Sequence, residues 1–163
     1  NAVKWDPSGT LLASASEDGS VRIWSHKSDD SVHVLAGHEK DIYLAAWSPS
    51  GPGTANPSAQ VLLASASFDT TVKLWEMERG QCKTTLTGHT AEVYGVAFSP
   101  NGRFLATGSV DRSVIIWSVH DGTPLKTFKA VGSVHDVSWN GAGDKVAAVC
   151  TDDKLVCVLD LRL

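Results

Sequence analysis

Ser65, Asp69 and His38 are the side-chain types of a nucleophile, an orienting acid and a general base, a set that could activate a serine for acyl transfer. Ser65 and Asp69 lie in "LASASFDTTVKLW", residues 63–75, and His38 stands 27 residues before the serine. The set recurs, however. Downstream stand His89, Thr107, Asp111 and Trp117, matching His38, Ser65, Asp69 and Trp75. Upstream stand Ser14, Asp18 and Trp24, whose histidine would precede Asn1. An acyl-transfer triad occurs once, beside an oxyanion hole. This one repeats and always carries a tryptophan, whose indole N–H can only donate. It predicts a buried relay: indole N–H to hydroxyl, hydroxyl to imidazole, imidazole to carboxylate. Each donor then finds an acceptor, so the polar groups can be buried without penalty.

The rest of the chain adds no catalytic signal. It has no glycine-rich phosphate loop followed by Lys-Ser or Lys-Thr, no His-Glu-x-x-His and no Gly-x-Ser-x-Gly. No enzyme activity, cofactor or metal is expected. His26, His33 and His120 fall in polar links and outer strands and are expected to be exposed.

The elements that must position these residues follow from the repeat. "LLASASEDGSVRIW", "LLASASFDTTVKLW", "FLATGSVDRSVIIW" and "KVAAVCTDDKLVCV" align on Asp18, Asp69, Asp111 and Asp152, which are 51, 42 and 41 residues apart. Trp24, Trp75 and Trp117 each follow their aspartate by six residues, and Val158 takes that place in the fourth copy. Before each copy stands a second motif: "VKWDPSG", "AAWSPSG", "VAFSPNG" and "VSWNGAG". Gly37-His38 and Gly88-His89 precede two of the four. The segments are short, β-branched or aromatic, and bounded by turn residues, so they predict strands. Asp18-Gly19 marks a hairpin. Four strands in about 42 residues predict a propeller blade. The extra residues of the second copy, in "SPSGPGTANPSAQV", have loop composition and are expected to form a solvated loop from Gly51 to Ala59 on the opposite face.

Gly-His, an aspartate turn and a tryptophan at this spacing resemble the WD-repeat β-propeller family. The resemblance implies an all-β fold of about four blades, near residues 1–36, 37–87, 88–129 and 130–163, the last without its outer strand. It also implies a place in a seven- or eight-bladed ring. The chain starts at Asn1 rather than Met, and is expected to be either the C-terminal half of such a ring or a half that pairs with a second copy. "WSPSGPGTANPSAQVLLASASFDTTVKLW" and the ending "VCVLDLRL" are similar to transducin-β-like proteins. That similarity implies a scaffold subunit of a nuclear corepressor and histone deacetylase complex. A substrate receptor for a ubiquitin ligase is the alternative.

Family members commonly contact partners through two kinds of loop position, and the resemblance carries these over. One precedes the turn aspartate: Glu17, Phe68, Val110 and Thr151. The other flanks the inner strand: Asn1, Asp41, Tyr43, Glu92, Tyr94, Ser133 and His135. Aromatic rings among carboxylates suit a basic peptide such as a histone tail or corepressor segment, the rings covering alkyl stems and the acids meeting Lys or Arg. The alternative is that Tyr43 and Tyr94 only cover the channel mouth.

Composition agrees. The 163 residues carry a net charge of −4 with 14 scattered Lys and Arg, which speaks against direct nucleic-acid binding through a basic patch. Neither a membrane span nor a signal pattern is present, so a membrane partner is not expected. Cys82, Cys150 and Cys157 include no C-x-x-C pair and are expected to be small buried residues in a reducing compartment.

Overall fold

The computed structural model describes residues 1–27, 30–152 and 154–161. It contains fifteen strands and no helix among those residues, and hence no helix able to cross a membrane. The first sheet holds β1 (Ala2–Trp5), β2 (Leu11–Ala15), β3 (Ser20–Ser25) and β4 (Ser31–Ala36), in that order. The second holds β5 (Ile42–Trp47), β6 (Leu62–Ser67), β7 (Val72–Glu76) and β8 (Gln81–Leu86). The third holds β9 (Val93–Phe98), β10 (Phe104–Ser109), β11 (Ser113–Ser118) and β12 (Pro124–Lys129). The fourth has three strands, β13 (Val134–Trp139), β14 (Lys145–Cys150) and β15 (Leu155–Asp160). Every pairing is an antiparallel meander, which needs only short hairpin connections.

Burial explains the sequence pattern. Strand side chains alternate between faces, and each middle sheet is covered on both. Leu62, Ala64 and Ala66 of β6 pack toward the third sheet with Val93, Leu105 and Trp117. Leu63 of the same strand packs toward the first sheet with Val21, Ile23 and Trp75. A third cluster joins Ala106, Val114 and Ile116 to Val134, Val146 and Ala148. Each hydrophobic core is therefore a seam between neighbouring sheets, and no sheet has a core of its own. The outer faces of the first and last sheets show this from the other side: Trp5 is 56% exposed and Val158 65%. The sheets form an open arc.

Each repeat tryptophan sits where the register of the third and outer strands slips, at Ile23/Trp24, Leu74/Trp75 and Ile116/Trp117. Such a bulge re-aims a side chain. The turn residue after Asp18, Asp69 and Asp111 has positive φ: Gly19 (76°), Thr70 (73°) and Arg112 (65°). Only the first copy uses glycine there.

Two expectations are corrected. Cys82 is exposed on the outer strand β8, where side chains of the sheet's far edge point to solvent. Cys150 is buried and Cys157 half-buried, their sulfurs 3.7 Å apart. His33 is half-buried rather than exposed, with Nε2 3.0 Å from the Met77 carbonyl of the next sheet. His26 and His120 are exposed.

Candidate functional site

In the second sheet the Trp75 indole N–H donates to Ser65 Oγ at 2.8 Å. Ser65 Oγ lies 2.8 Å from His38 Nε2, and His38 Nδ1 lies 2.8 Å from Asp69 Oδ2. The third sheet repeats this with Trp117 to Thr107 at 2.8 Å, Thr107 to His89 at 2.7 Å and His89 to Asp111 at 2.9 Å. Oδ2 of each acid also accepts the next backbone N–H, from Glu39 or Thr90. Oδ1 accepts from Thr71 or from Ser113. One carboxylate thus ties the entry loop to the hairpin turn. Ser65 and Thr107 are wholly buried, so neither hydroxyl can meet a substrate.

The glycine of each Gly-His pair has a steric reason. A Cβ on Gly88 would lie 2.9 Å from Trp117 Cη2, and one on Gly37 would lie 3.4 Å from the same atom of Trp75. The indole edge packs on the backbone there.

The relay fixes the protonation states. With Ser or Thr donating to Nε2, each histidine is neutral with its proton on Nδ1. Burial pushes both imidazoles below their ordinary value, against the opposing pull of their aspartates. Burial alone would raise Asp69, but hydrogen bonds from Thr71, the Glu39 N–H and His38 outweigh it and hold the carboxyl at about 2. Asp111 is lowered in the same way by Ser113, Thr90 and His89.

These shifts predict two acid-sensitive windows. Below pH about 6.5 the unfolded chain takes up protons at His38 and His89 that the folded chain resists, so stability falls with pH. Between the ordinary carboxylate value and about 2, the unfolded chain protonates Asp69 first, and stability falls again. Above neutrality both contributions are flat. Urea titrations from pH 8 to 4 should show the first decline, and a His38→Asn, His89→Asn double variant should lose its slope between pH 5 and 6.5.

The other two sheets use parts of the device. Trp24 donates to Ser14 at 2.8 Å, and Asp18 Oδ1 accepts from the N–H and Oγ of Ser20. In the fourth sheet Asp152 Oδ2 accepts directly from the N–H and Oγ of Ser133.

These braces hold the loop face. Phe68 N–H donates to the Asp41 carbonyl, Val110 N–H to that of Glu92, and Thr151 N–H to that of Ser133. Each turn is thereby bonded to the start of its own inner strand. Four rings from three sheets meet there. Tyr94 lies 4.6 Å from Tyr43, 5.0 Å from Phe68 and 4.5 Å from His135, and Tyr43 and Phe68 stack at 6.2 Å. Packing of this kind contributes roughly 0.5–1.5 kcal/mol per pair. Tyr43 remains 43% exposed, and Phe68, Tyr94 and His135 are half-buried. Asp41 and Glu92 are half-buried at the ends of the same strands. Glu17 is exposed on the first sheet, outside the ring cluster, and Val110 occupies in the third sheet the place of Phe68 in the second.

Several contributors escaped sequence reasoning. Thr71 and Ser113 complete the braces, and their signal is a hydroxyl two residues after the aspartate in "DGS", "DTT" and "DRS". The Trp47 and Trp139 indoles donate to the Lys4 and Ala97 carbonyls of the preceding sheet at 2.9 and 3.0 Å. Phe98 stands at the same place in the third sheet and has no donor.

The family described as WD domain, G-beta repeat matches residues 1–25, 29–76 and 80–118. The unmatched fourth copy is the one with Ala148 and Val158 in place of the hydroxyl and the tryptophan. WD40 repeat-containing protein HOS15 of Arabidopsis thaliana is 52% identical over the whole chain. F-box-like/WD repeat-containing protein TBL1X of Mus musculus is 54% identical over 99% of the chain, and TBL1Y of Homo sapiens 52% over the same share. The chain spans 26% of the length of the first and 31% of the other two. Matched by the family profile and similar along its whole length to HOS15 and the transducin-β-like proteins, the chain belongs to the WD-repeat family.

Proposed function

We propose that this chain is a non-enzymatic interaction scaffold whose loop face receives a Lys- and Arg-rich protein segment. The observation that carries this is the ring cluster of Tyr43, Phe68, Tyr94 and His135, with the half-buried acids Asp41 and Glu92 just before the strands that carry Tyr43 and Tyr94. Rings cover the alkyl stems of basic side chains, and carboxylates meet their charges. A histone tail or corepressor peptide has this chemistry. Similarity to the transducin-β-like proteins supports a nuclear setting, in a transcriptional corepressor complex with a histone deacetylase.

The test is a Tyr43→Ala, Phe68→Ala, Tyr94→Ala triple variant, checked for folding by circular dichroism. Its affinity for a histone-tail peptide is expected to fall about a hundredfold, since clustered aromatic anchors carry most of an interface's energy. Unchanged affinity and complex assembly in the folded variant would refute the proposal. The words "F-box-like" in the names of two relatives favour a second reading, a substrate receptor for a ubiquitin ligase. Purification returning cullin-type subunits without a deacetylase would select it.

A further inference from the structure

The Gly51–Ala59 insertion is exposed at most of its residues yet pinned by hydrogen bonds at Gly51, Thr54 and Asn56, which sequence composition does not reveal. Gly51 N–H donates to the Asn56 carbonyl, Thr54 N–H and Oγ1 to the Gly51 carbonyl, and Ala59 N–H to that of Asn56. The Asn56 amide donates to the Pro49 carbonyl at 2.7 Å and, across the seam, to the Pro100 carbonyl at 3.3 Å. Gly51 (φ 94°) has no room for a side chain, since a Cβ would lie 2.9 Å from Val61. The loop is thus a built wall. Between it and the first sheet lies a groove of about 700 Å³.

Leu11, Val61 and Met77 lie at the base of this groove and Pro52 and Pro57 on its wall. Both prolines are exposed, while Met77 is only 7% exposed. The ionisable side chains lining it, Asp6 and Glu78, are both acids. The Asp6 carboxylate is occupied by the N–H groups of Ser8, Thr10 and Leu11. Glu78, exposed at the rim, is left to meet an incoming charge.

We propose that this groove, on the face opposite the ring cluster, is a second docking site for a partner peptide presenting one apolar side chain beside a Lys or Arg. Its hydrogen-bonded wall lowers the ordering cost of binding, and its exposed Glu78 selects against acidic segments.

Met77 is the chain's single methionine and serves as the reporter. The intact protein is labelled with ¹³C-methyl methionine, and the Met77 signal is assigned with Met77→Leu. It is titrated with synthetic decapeptides carrying Leu, Met or Phe beside Lys or Arg, and with the same peptides carrying Glu instead. The basic set is expected to shift the Met77 methyl and the acidic set to leave it. Glu78→Lys and the groove-filling Ala59→Arg should each weaken binding at least tenfold. The Tyr43, Phe68, Tyr94 triple alanine should not alter the shift, which separates this site from the loop face. A methyl signal unmoved by the basic set, moved equally by the acidic set, insensitive to both groove variants, or dependent only on protein concentration as in self-association would overturn the proposal.

Discussion

Trp75→Ala is expected to destabilise the protein by about 3–5 kcal/mol, the usual loss for emptying a buried indole site. The side chain is 2% exposed and fills the seam between the first two sheets, against Ile23, Val21 and Leu63. Its loss also leaves a lone pair of the wholly buried Ser65 hydroxyl without its donor. Trp75→Phe separates these effects. It keeps part of the packing but removes the donor and the ring edge that lies against Gly37, for an intermediate loss of about 2–3 kcal/mol. Trp24→Ala should cost less than Trp75→Ala, because Trp24 and Ser14 are only half-buried and no histidine continues the chain of bonds. Urea unfolding followed by far-ultraviolet circular dichroism gives the ranking. Equal losses at Trp24 and Trp75 would mean that the relay adds nothing.

Asp69→Ala joins stability to binding. The carboxylate accepts from Thr71 N–H at 2.9 Å, Thr71 Oγ1 at 2.7 Å, Glu39 N–H at 3.0 Å and His38 Nδ1 at 2.8 Å. It is nearly buried, at 8% exposure, so its donors would be left largely out of reach of water. The expected loss is about 3 kcal/mol, from several donors stranded at once. Phe68 is the adjacent residue, and its ring packs on Tyr43 and Tyr94. Releasing the turn should therefore lower affinity for a basic peptide about tenfold even where the protein remains folded. Asp18→Ala is the control, since it frees the first-sheet turn, whose Glu17 lies outside the ring cluster, and should have little effect on affinity. Isothermal titration of both variants, beside their unfolding curves, decides whether the brace sets the rim.

The repeat alone makes the architecture legible. Aspartate-to-tryptophan spacing within each copy is fixed by one hairpin, so strands β2, β3, β6, β7, β10 and β11 could be placed from a few letters. The brace was legible for the same reason, since a constellation that recurs must be structural. What the letters did not carry was contact between copies. Tyr43, Phe68, Tyr94 and His135 come from three sheets, and their meeting depends on how the sheets stack. The Asn56 bridge to Pro100 is equally invisible, because Asn, Gly and Pro in a loop look the same whether solvated or bonded. Cys82 shows the limit of residue-type averages: cysteine is commonly buried, but an outer strand has one side in water.

Asn56 also stands at a telling seam. The Trp47 indole clips the second sheet to the first, and the Trp139 indole clips the fourth to the third. Phe98 leaves the seam between second and third without such a clip, and that is the seam Asn56 crosses, from the second sheet to the third. That seam is held instead by its buried cluster, by the Tyr94 ring against Tyr43 and Phe68, by Lys83 Nζ on the Val119 carbonyl and by the Asn56 latch. With the latch cut by Asn56→Ala, amides of β5 and β9 should exchange with deuterium sooner than in the unaltered protein, while those of β13 keep their rate. The insertion that shapes the groove thus also helps fasten one seam of the arc.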